Sequence, residues 1–432
     1  MKFSFLKCFP VLAVAASITA CSKSDNTPIT ERNTITIENV LDSRPLVQSG
    51  TFMGSGDPPV IFPGQSVSFS FYAGKGQTLT FATMYGWSND LFFAPENPGI
   101  ALYQSDGAPI TGDVSSQIKL WDNGTRVNEK PGMGIAHPGT PEATTKNISE
   151  VNGTDAYGHT YLAAAQLMNV SLAYNGNSNF TITITNKSAG TANETPFSPG
   201  VWAISYVAGG NQLLPNAIFT AGQPTANGLT NIAEAGDNAA LSAYLTERTG
   251  LFTPLSPVLV VVYHGDENPF FTTGEHDRGE GLKALAQTGN ADILAAALKA
   301  KPGVKEVHVL KESMSTVLLP KANGGDGGKV SQELSVVKGD RLAIATMYGF
   351  SNDWFFATKG NGVDATEKGD ISTSLGLFDN GTAIDQFPGA GLTQANLEGT
   401  PLEESKPIEA VPHANPFTSL PSVNKIIKVN LQ

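Results

Sequence analysis

Polar and apolar residues alternate with period two along Asn33-Thr-Ile-Thr-Ile-Glu-Asn39 and again along Phe180-Thr-Ile-Thr-Ile-Thr-Asn186, the pattern of strands with one buried face. Residues 258–262 form an unbroken apolar run that reads as a more deeply buried strand. A different period governs the stretch that follows. Leu282, Leu285 and Ala286 share one helical face, Gly289-Asn290 breaks the helix, and Ile293, Leu294, Ala297 and Leu298 form the face of the next. Short strands with a few short helices predict a mainly β protein.

The pattern is also duplicated. Leu79-Thr-Phe-Ala-Thr-Met-Tyr-Gly-Trp-Ser-Asn-Asp-Leu-Phe-Phe-Ala94 returns as Leu342-Ala-Ile-Ala-Thr-Met-Tyr-Gly-Phe-Ser-Asn-Asp-Trp-Phe-Phe-Ala357. Each copy is followed by a second matching element, Leu120-Trp-Asp-Asn-Gly-Thr125 and Leu377-Phe-Asp-Asn-Gly-Thr382. Residues 168–174 close the first copy as 424–431 close the second, and the strand at 180 restarts the pattern. This places one module at 33–176 and another at 177–432, with Asn175-Gly-Asn-Ser178 as the linker. A smaller duplication lies within 198–303: Gly228 to Leu241 is echoed by Gly281 to Leu294. The first copy lacks such a segment in this division, so the helices read as an accessory to the second.

Composition sharpens the fold class. With 432 residues, 15% charged, 45 Gly and 27 Pro, the chain suits strands joined by turns. A formal charge of −12 argues against nucleic acid, which requires clustered Lys and Arg. Calcium or a basic partner is electrostatically easier, although an acidic balance chiefly serves solubility.

Lys2 and Lys7 precede an apolar run from Phe9 to Ala16, then Ser17-Ile-Thr-Ala-Cys21 and a polar segment. This is a secretory signal, too short to span a bilayer. The small residues before Cys21 resemble the lipobox of bacterial lipoproteins, which implies a signal peptide at 1–20, lipidation of Cys21 and a flexible tether over 21–32. An ordinary signal peptide is the alternative. Cys8 lies within the removed segment, so the mature chain would hold no disulfide.

Ser-Asn-Asp-Leu/Trp-Phe followed by Asp-Asn-Gly-Thr resembles the spondin N-terminal domain family of F-spondin, mindin and many bacterial secreted lipoproteins. The resemblance covers nearly all of 33–432. It implies two antiparallel, C2-like β-sandwiches, each holding a calcium ion at a loop end. Asp90 and Asp122 would be ligands in the first copy, and Asp353 and Asp379 in the second. Members of the family usually carry an acid just after Asp-x-Gly-Thr, where this chain has Arg126 and Ala383. Two positions on, Asn128 and Asp385 could supply an oxygen instead, which makes the second site the stronger. The alternative is that Asp122 and Asp379 only shape Asp-Asn-Gly turns. Trp87, Phe92, Phe93, Trp354, Phe355 and Phe356 read as packing aromatics.

Glu275-His-Asp-Arg278 and His264-Gly-Asp-Glu267 lack the further His or Cys of a zinc site, and no nucleophile elbow is present. The resulting expectation is a non-catalytic, lipid-anchored protein of the bacterial cell envelope, at the outer membrane or cell surface, binding a protein or glycan. An enzyme acting on envelope polysaccharide and a structural spacer are the alternatives.

Overall fold

The computed structural model describes residues 30–133, 137–313 and 315–432. The signal segment at 1–20, Cys21 and most of the tether lie outside the described residues. The fold is mainly β, in antiparallel sheets of which none closes into a barrel. It divides into two units, each with a seven-stranded and a four-stranded sheet.

In the first unit the larger sheet runs in the order Leu46–Phe52, Gly200–Ser205, Thr78–Met84, Leu91–Pro95, Ile118–Asp122, Ser149–Glu150, with Ile100–Ala101 beside Thr78–Met84. Its smaller sheet is Ser66–Tyr72, Asn179–Asn186, Met168–Gly176, Gly112–Asp113. The second unit repeats this as Val304–Leu310, Val258–Tyr263, Arg341–Met347, Trp354–Thr358, Leu375–Asp379, Glu409–Ala410, with Val363–Asp364 at the side. Its smaller sheet is Lys329–Val336, Glu31–Asn39, Ile427–Leu431, Gly369–Asp370.

The two kinds of sheet differ because they are buried differently. The four-stranded sheets face solvent on one side, so their strands alternate: Ile35 and Ile37 point into the core while Thr36 pairs its hydroxyl with Ser331 at 3.0 Å on the outer face. The seven-stranded sheets are covered on both sides. Val258–Tyr263 and Gly200–Ser205 are therefore buried at every position, which explains the unbroken apolar run at 258–262. Helices supply the outer cover. Leu229, Ile232, Leu241 and Leu245 pack on Ala82, Met84, Phe92 and Val201, and Leu282, Leu285, Leu294 and Leu298 pack on Leu259, Val261, Ala343 and Phe355.

That cover corrects the reading of the helices as an accessory to one copy. Leu229–Ala235 and Ala239–Glu247 belong to the first unit, while Leu282–Thr288 and Asp292–Lys299 belong to the second. Each large sheet has an apolar outer face, and leaving it bare would forfeit roughly 25 cal/mol for every Å² exposed. Within the last helix Ile293 is exposed rather than packed, because the buried face is Leu294, Ala295 and Leu298.

The two alternating strands are exchanged relative to chain order. Glu31–Asn39, which begins inside the expected tether, pairs with Lys329–Val336 and Ile427–Leu431 of the second unit. Asn179–Asn186 pairs with Ser66–Tyr72 and Met168–Gly176 of the first. The expected linker at 175–178 is in fact a hairpin turn. Asn177 and Ser178 take left-handed φ of 49° and 62°, the geometry that folds a strand back onto its predecessor. Sheet membership thus changes near residue 250, and the first strand crosses over to complete the second unit.

Ile37→Ala should therefore destabilise the second unit, although the residue lies at the opposite end of the chain. The expected cost is about 2–5 kcal/mol. Denaturant unfolding combined with hydrogen exchange checks it: protection should fall first at residues 329–336 and 427–431, and not at 179–186.

Candidate metal centres

Antiparallel register brings the paired aspartates together. Leu91 lies opposite Asp122 and Trp354 opposite Asp379, so Asp90 and Asp353, one residue earlier, stand beside those partners at one end of each large sheet. The Ser-Asn-Asp triplet makes the turn. Ser88 donates its hydroxyl to Tyr85 O at 2.7 Å and accepts from Leu91 N at 3.0 Å; Ser351 does the same with Tyr348 O and Trp354 N. Asn89 ties its loop to Val127 O at 2.7 Å, and Asn352 accepts from Gln386 N at 3.0 Å.

The Asp-Asn-Gly-Thr element completes each centre. Asp122 Oδ1 accepts from Gly124 N at 2.7 Å, and Asp379 Oδ1 from Gly381 N at 2.8 Å. The turn chemistry of these aspartates is thus real, and it occupies one oxygen of each. Glycine is required at both turns: φ is 75° and 66°, and a Cβ would come within 2.6 Å of Lys146 O or 2.4 Å of Lys406 O. Thr125 and Thr382 then grip the buried aspartate. Asp90 Oδ2 accepts from Thr125 N, Thr125 Oγ1 and Arg126 N at 2.7, 3.0 and 2.8 Å; Asp353 Oδ2 accepts from Thr382 N, Thr382 Oγ1 and Ala383 N at 2.6, 2.9 and 2.9 Å.

Three donors hold one oxygen, and the other has none. Asp90 Oδ1, Asp353 Oδ1, Asn128 Oδ1 and Asp385 Oδ1 are all buried without a hydrogen-bond partner. Orphaned buried acceptors are costly and call for an explanation. In the second unit, Asp353, Asp379 and Asp385 each offer an oxygen, all within 4.8 Å of one another. Burial raises the Asp353 carboxyl above the ordinary range, with the Asp379 charge adding to it, and burial likewise raises Asp379. Asp385 is pushed up to about 8 by burial and then by Asp379. In the first unit burial, seconded by Asp122, pushes Asp90 up to about 7, and burial raises Asp122.

The two centres differ at the third oxygen-bearing side chain and in their surroundings. Asn128 stands where the second has Asp385, and its amide donates to Asp122 Oδ2 at 2.8 Å. Arg126, which stands where the resembled family has an acid, pairs its guanidinium with Glu234 on the covering helix at 2.6 Å. The second unit replaces that pair with Ala383 and Gln287, whose amide reaches Thr382 O at 3.2 Å. Two acids went unrecognised in the sequence. Glu142 N donates to Thr125 O and Glu404 N to Thr382 O, so the two residues occupy equivalent places, and the charge of each acts on the nearby aspartate. Their neighbours Lys146 and Lys406 are also equivalent, yet Glu142 precedes its lysine by four residues and Glu404 by two, which hides the match from a linear comparison.

Of the singled-out aromatics, Phe92, Phe93, Trp354, Phe355 and Phe356 are buried and Trp87 is exposed. The Glu275–Arg278 cluster serves the second centre indirectly, since Asp277 accepts from Asn380 Nδ2 at 3.1 Å. His264 lies at the surface, 3.5 Å from Asp340.

A scan against protein-family models finds no match to the chain, and a search of curated proteins finds none either. The chemistry therefore rests on the donor set. Carboxylate and amide oxygens without nitrogen or sulfur suit hard cations such as calcium, magnesium or manganese rather than zinc or copper. Three aspartates, two of them with a buried bare oxygen, form a donor set of that kind.

A pH dependence follows, with its sign fixed by the direction of the shifts. A carboxyl with a raised pKa in the fold keeps its proton there while the unfolded chain has already lost it, between about pH 4 and the folded values of about 7 for Asp90 and about 8 for Asp385. Stability must fall as pH rises through this window. In chelator the melting temperature should drop by several degrees between pH 5 and pH 8, and a bound divalent cation should restore it at pH 8 while doing little at pH 5. Asp385→Asn should raise the pH 8 melting temperature in chelator and blunt the response to the ion.

Proposed function

We propose that this chain is a lipid-anchored, extracytoplasmic recognition protein whose two sandwich units bind calcium, and that it binds its partner rather than transforming it. One observation carries the reading: in each unit a fully buried aspartate spends one oxygen on three hydrogen bonds and leaves the other bare beside a second carboxylate. The order of the two motifs in each copy, resembling spondin N-terminal domains, supports the same reading. So does the lipobox-like segment ending at Cys21.

Calcium suits the donors better than magnesium. It accepts mixed carboxylate, carbonyl and water oxygens in irregular arrangements, whereas magnesium demands a near-ideal octahedron and holds its waters. The second centre, with three aspartates, is the tighter; the first substitutes a neutral amide and keeps an Arg–Glu pair nearby. A carboxylate pair working as acid and base on a glycan would stand about 5 to 9.5 Å apart across an open cleft. Oxygens converging within 4.8 Å favour a shared ion. The partner class consistent with a tethered binder is an envelope or neighbouring-cell protein or glycan.

Calorimetric titration with calcium and with magnesium tests this directly. Two sites of unequal affinity are expected, with calcium preferred. Asp353→Asn should weaken the tighter site by at least about 100-fold, and Asp122→Asn should abolish only the weaker one. Absence of heat and of any melting-temperature response to either ion would sink the reading.

A further inference from the structure

The two centres occupy different places in the assembly of the units. In the first unit Tyr72 pairs with Asn179, and Thr78–Met84 starts after the next turn and runs away toward Asp90. The turn after Tyr72 and the hairpin at 175–178 therefore form the pole opposite the first centre. The second unit has the same polarity: its Lys329–Val336 strand ends at a turn from which Arg341–Met347 runs toward Asp353. At its opposite pole lie the start of the Glu31–Asn39 strand and the C-terminal residue, with Thr34 N bonded to Gln432 O at 2.9 Å.

The first unit's rear pole sits on the second unit's metal pole. Ser178 Oγ accepts from Leu392 N at 2.7 Å and from Gln386 Nε2 at 3.2 Å, and Asn177 Nδ2 donates to Asp385 O at 3.3 Å. Tyr72 stacks on Phe387 with ring centroids 5.1 Å apart, and Gln77 donates to Gly389 O at 2.8 Å. Ser178 is fully buried and Gln386 nearly so. The loop gripped by the first unit is thus the loop that presents Asp385 to the cluster. Asn352, beside Asp353, accepts from the backbone of Gln386 and fastens the loop from the other side.

We propose that the second centre is a cation-dependent joint: a divalent ion held by Asp353, Asp379 and Asp385 fixes residues 383–392 and thereby locks the first unit onto the second. The proposal rests on the cation-binding reading of these centres. One oxygen of Asp385 goes to the ion while its backbone carbonyl and its neighbour Gln386 go to the other unit, so ordering of this loop is shared by both. Without the ion nothing bridges the three side chains, and the loop is held only by Asn352 and the first unit. The stack then runs from Glu31 and Gln432 through the second unit and the joint to the first centre, which lies at the far pole, away from residue 30.

Linkage makes the joint testable from both sides, because coupling between ion and interface must be reciprocal. Hydrogen exchange of the full chain in calcium and in chelator reads one side. Calcium should slow exchange at residues 174–178, which carry no ligand, by at least about five-fold; Asp385→Asn should remove that protection, and Asp122→Asn should keep it. The other side is calorimetry on Ser178→Gly, which retains the turn and removes the hydroxyl. Calcium affinity at the tighter site should fall about five-fold or more, with the weaker site unmoved. Calcium bound at the tighter site with unchanged exchange at 174–178 and unchanged affinity in Ser178→Gly overturns the joint alone. No binding at all overturns the joint together with the cation-binding reading.

Discussion

Everything at the functional end of each unit depends on one buried carboxylate. Asp90 and Asp353 lie at the point where two neighbouring strands meet the loops beyond them, fully removed from water. The backbone of the Asp-Asn-Gly-Thr turn is built around one of their oxygens. Three hydrogen bonds to that oxygen stabilise the charged form, while burial and a second aspartate oppose it, and burial wins. The result is a site whose charge is poorly compensated by protein alone. A divalent cation would supply the missing compensation without any change in backbone.

The same module was then used for two different ends. In the first unit, Arg126 and Glu234 neutralise each other between the centre and its covering helix, and Asn128 lowers the charge of the donor set. In the second, Ala383 and Gln287 remove that pair, Asp385 adds a carboxylate, and the loop carrying it is pinned beneath the hairpin of the first unit. The centre with three aspartates is thus the one beside the other unit, and the centre with fewer acids is the one at the far pole. The covering helices, once each is assigned to its own sheet, make the two units equal in architecture. The differences around the two centres lie in the loops and on the inner face of one covering helix.

Much of this was legible in the chain. The two aspartates per copy follow from the repeated motifs, and the alternating strands and the short helices at 282–298 follow from periodicity; Asn128 and Asp385 come from comparison with the resembled family. Glu142 and Glu404 were not legible, because their lysine spacings differ and only the shared contacts with Thr125 and Thr382 align them. Ile293 shows the limit of periodicity in a short helix, where turning the buried face by one position exchanges Ile293 for Ala295.

Sequence alone determined the local elements and the chemistry at each loop, because period, turn residues and hydrogen-bonding side chains act over a few positions. Which sheet each strand joins was decided only by the tertiary structure. Glu31–Asn39 and Asn179–Asn186 share the Thr-Ile-Thr-Ile face and fit either four-stranded sheet equally well as patterns. The tight turn at Asn177-Ser178 folds the later strand back on its predecessor, which leaves the gap beside Ile427–Leu431 for the first strand of the chain. Pairing between residues some 300 positions apart is a property of closed space rather than of neighbouring letters.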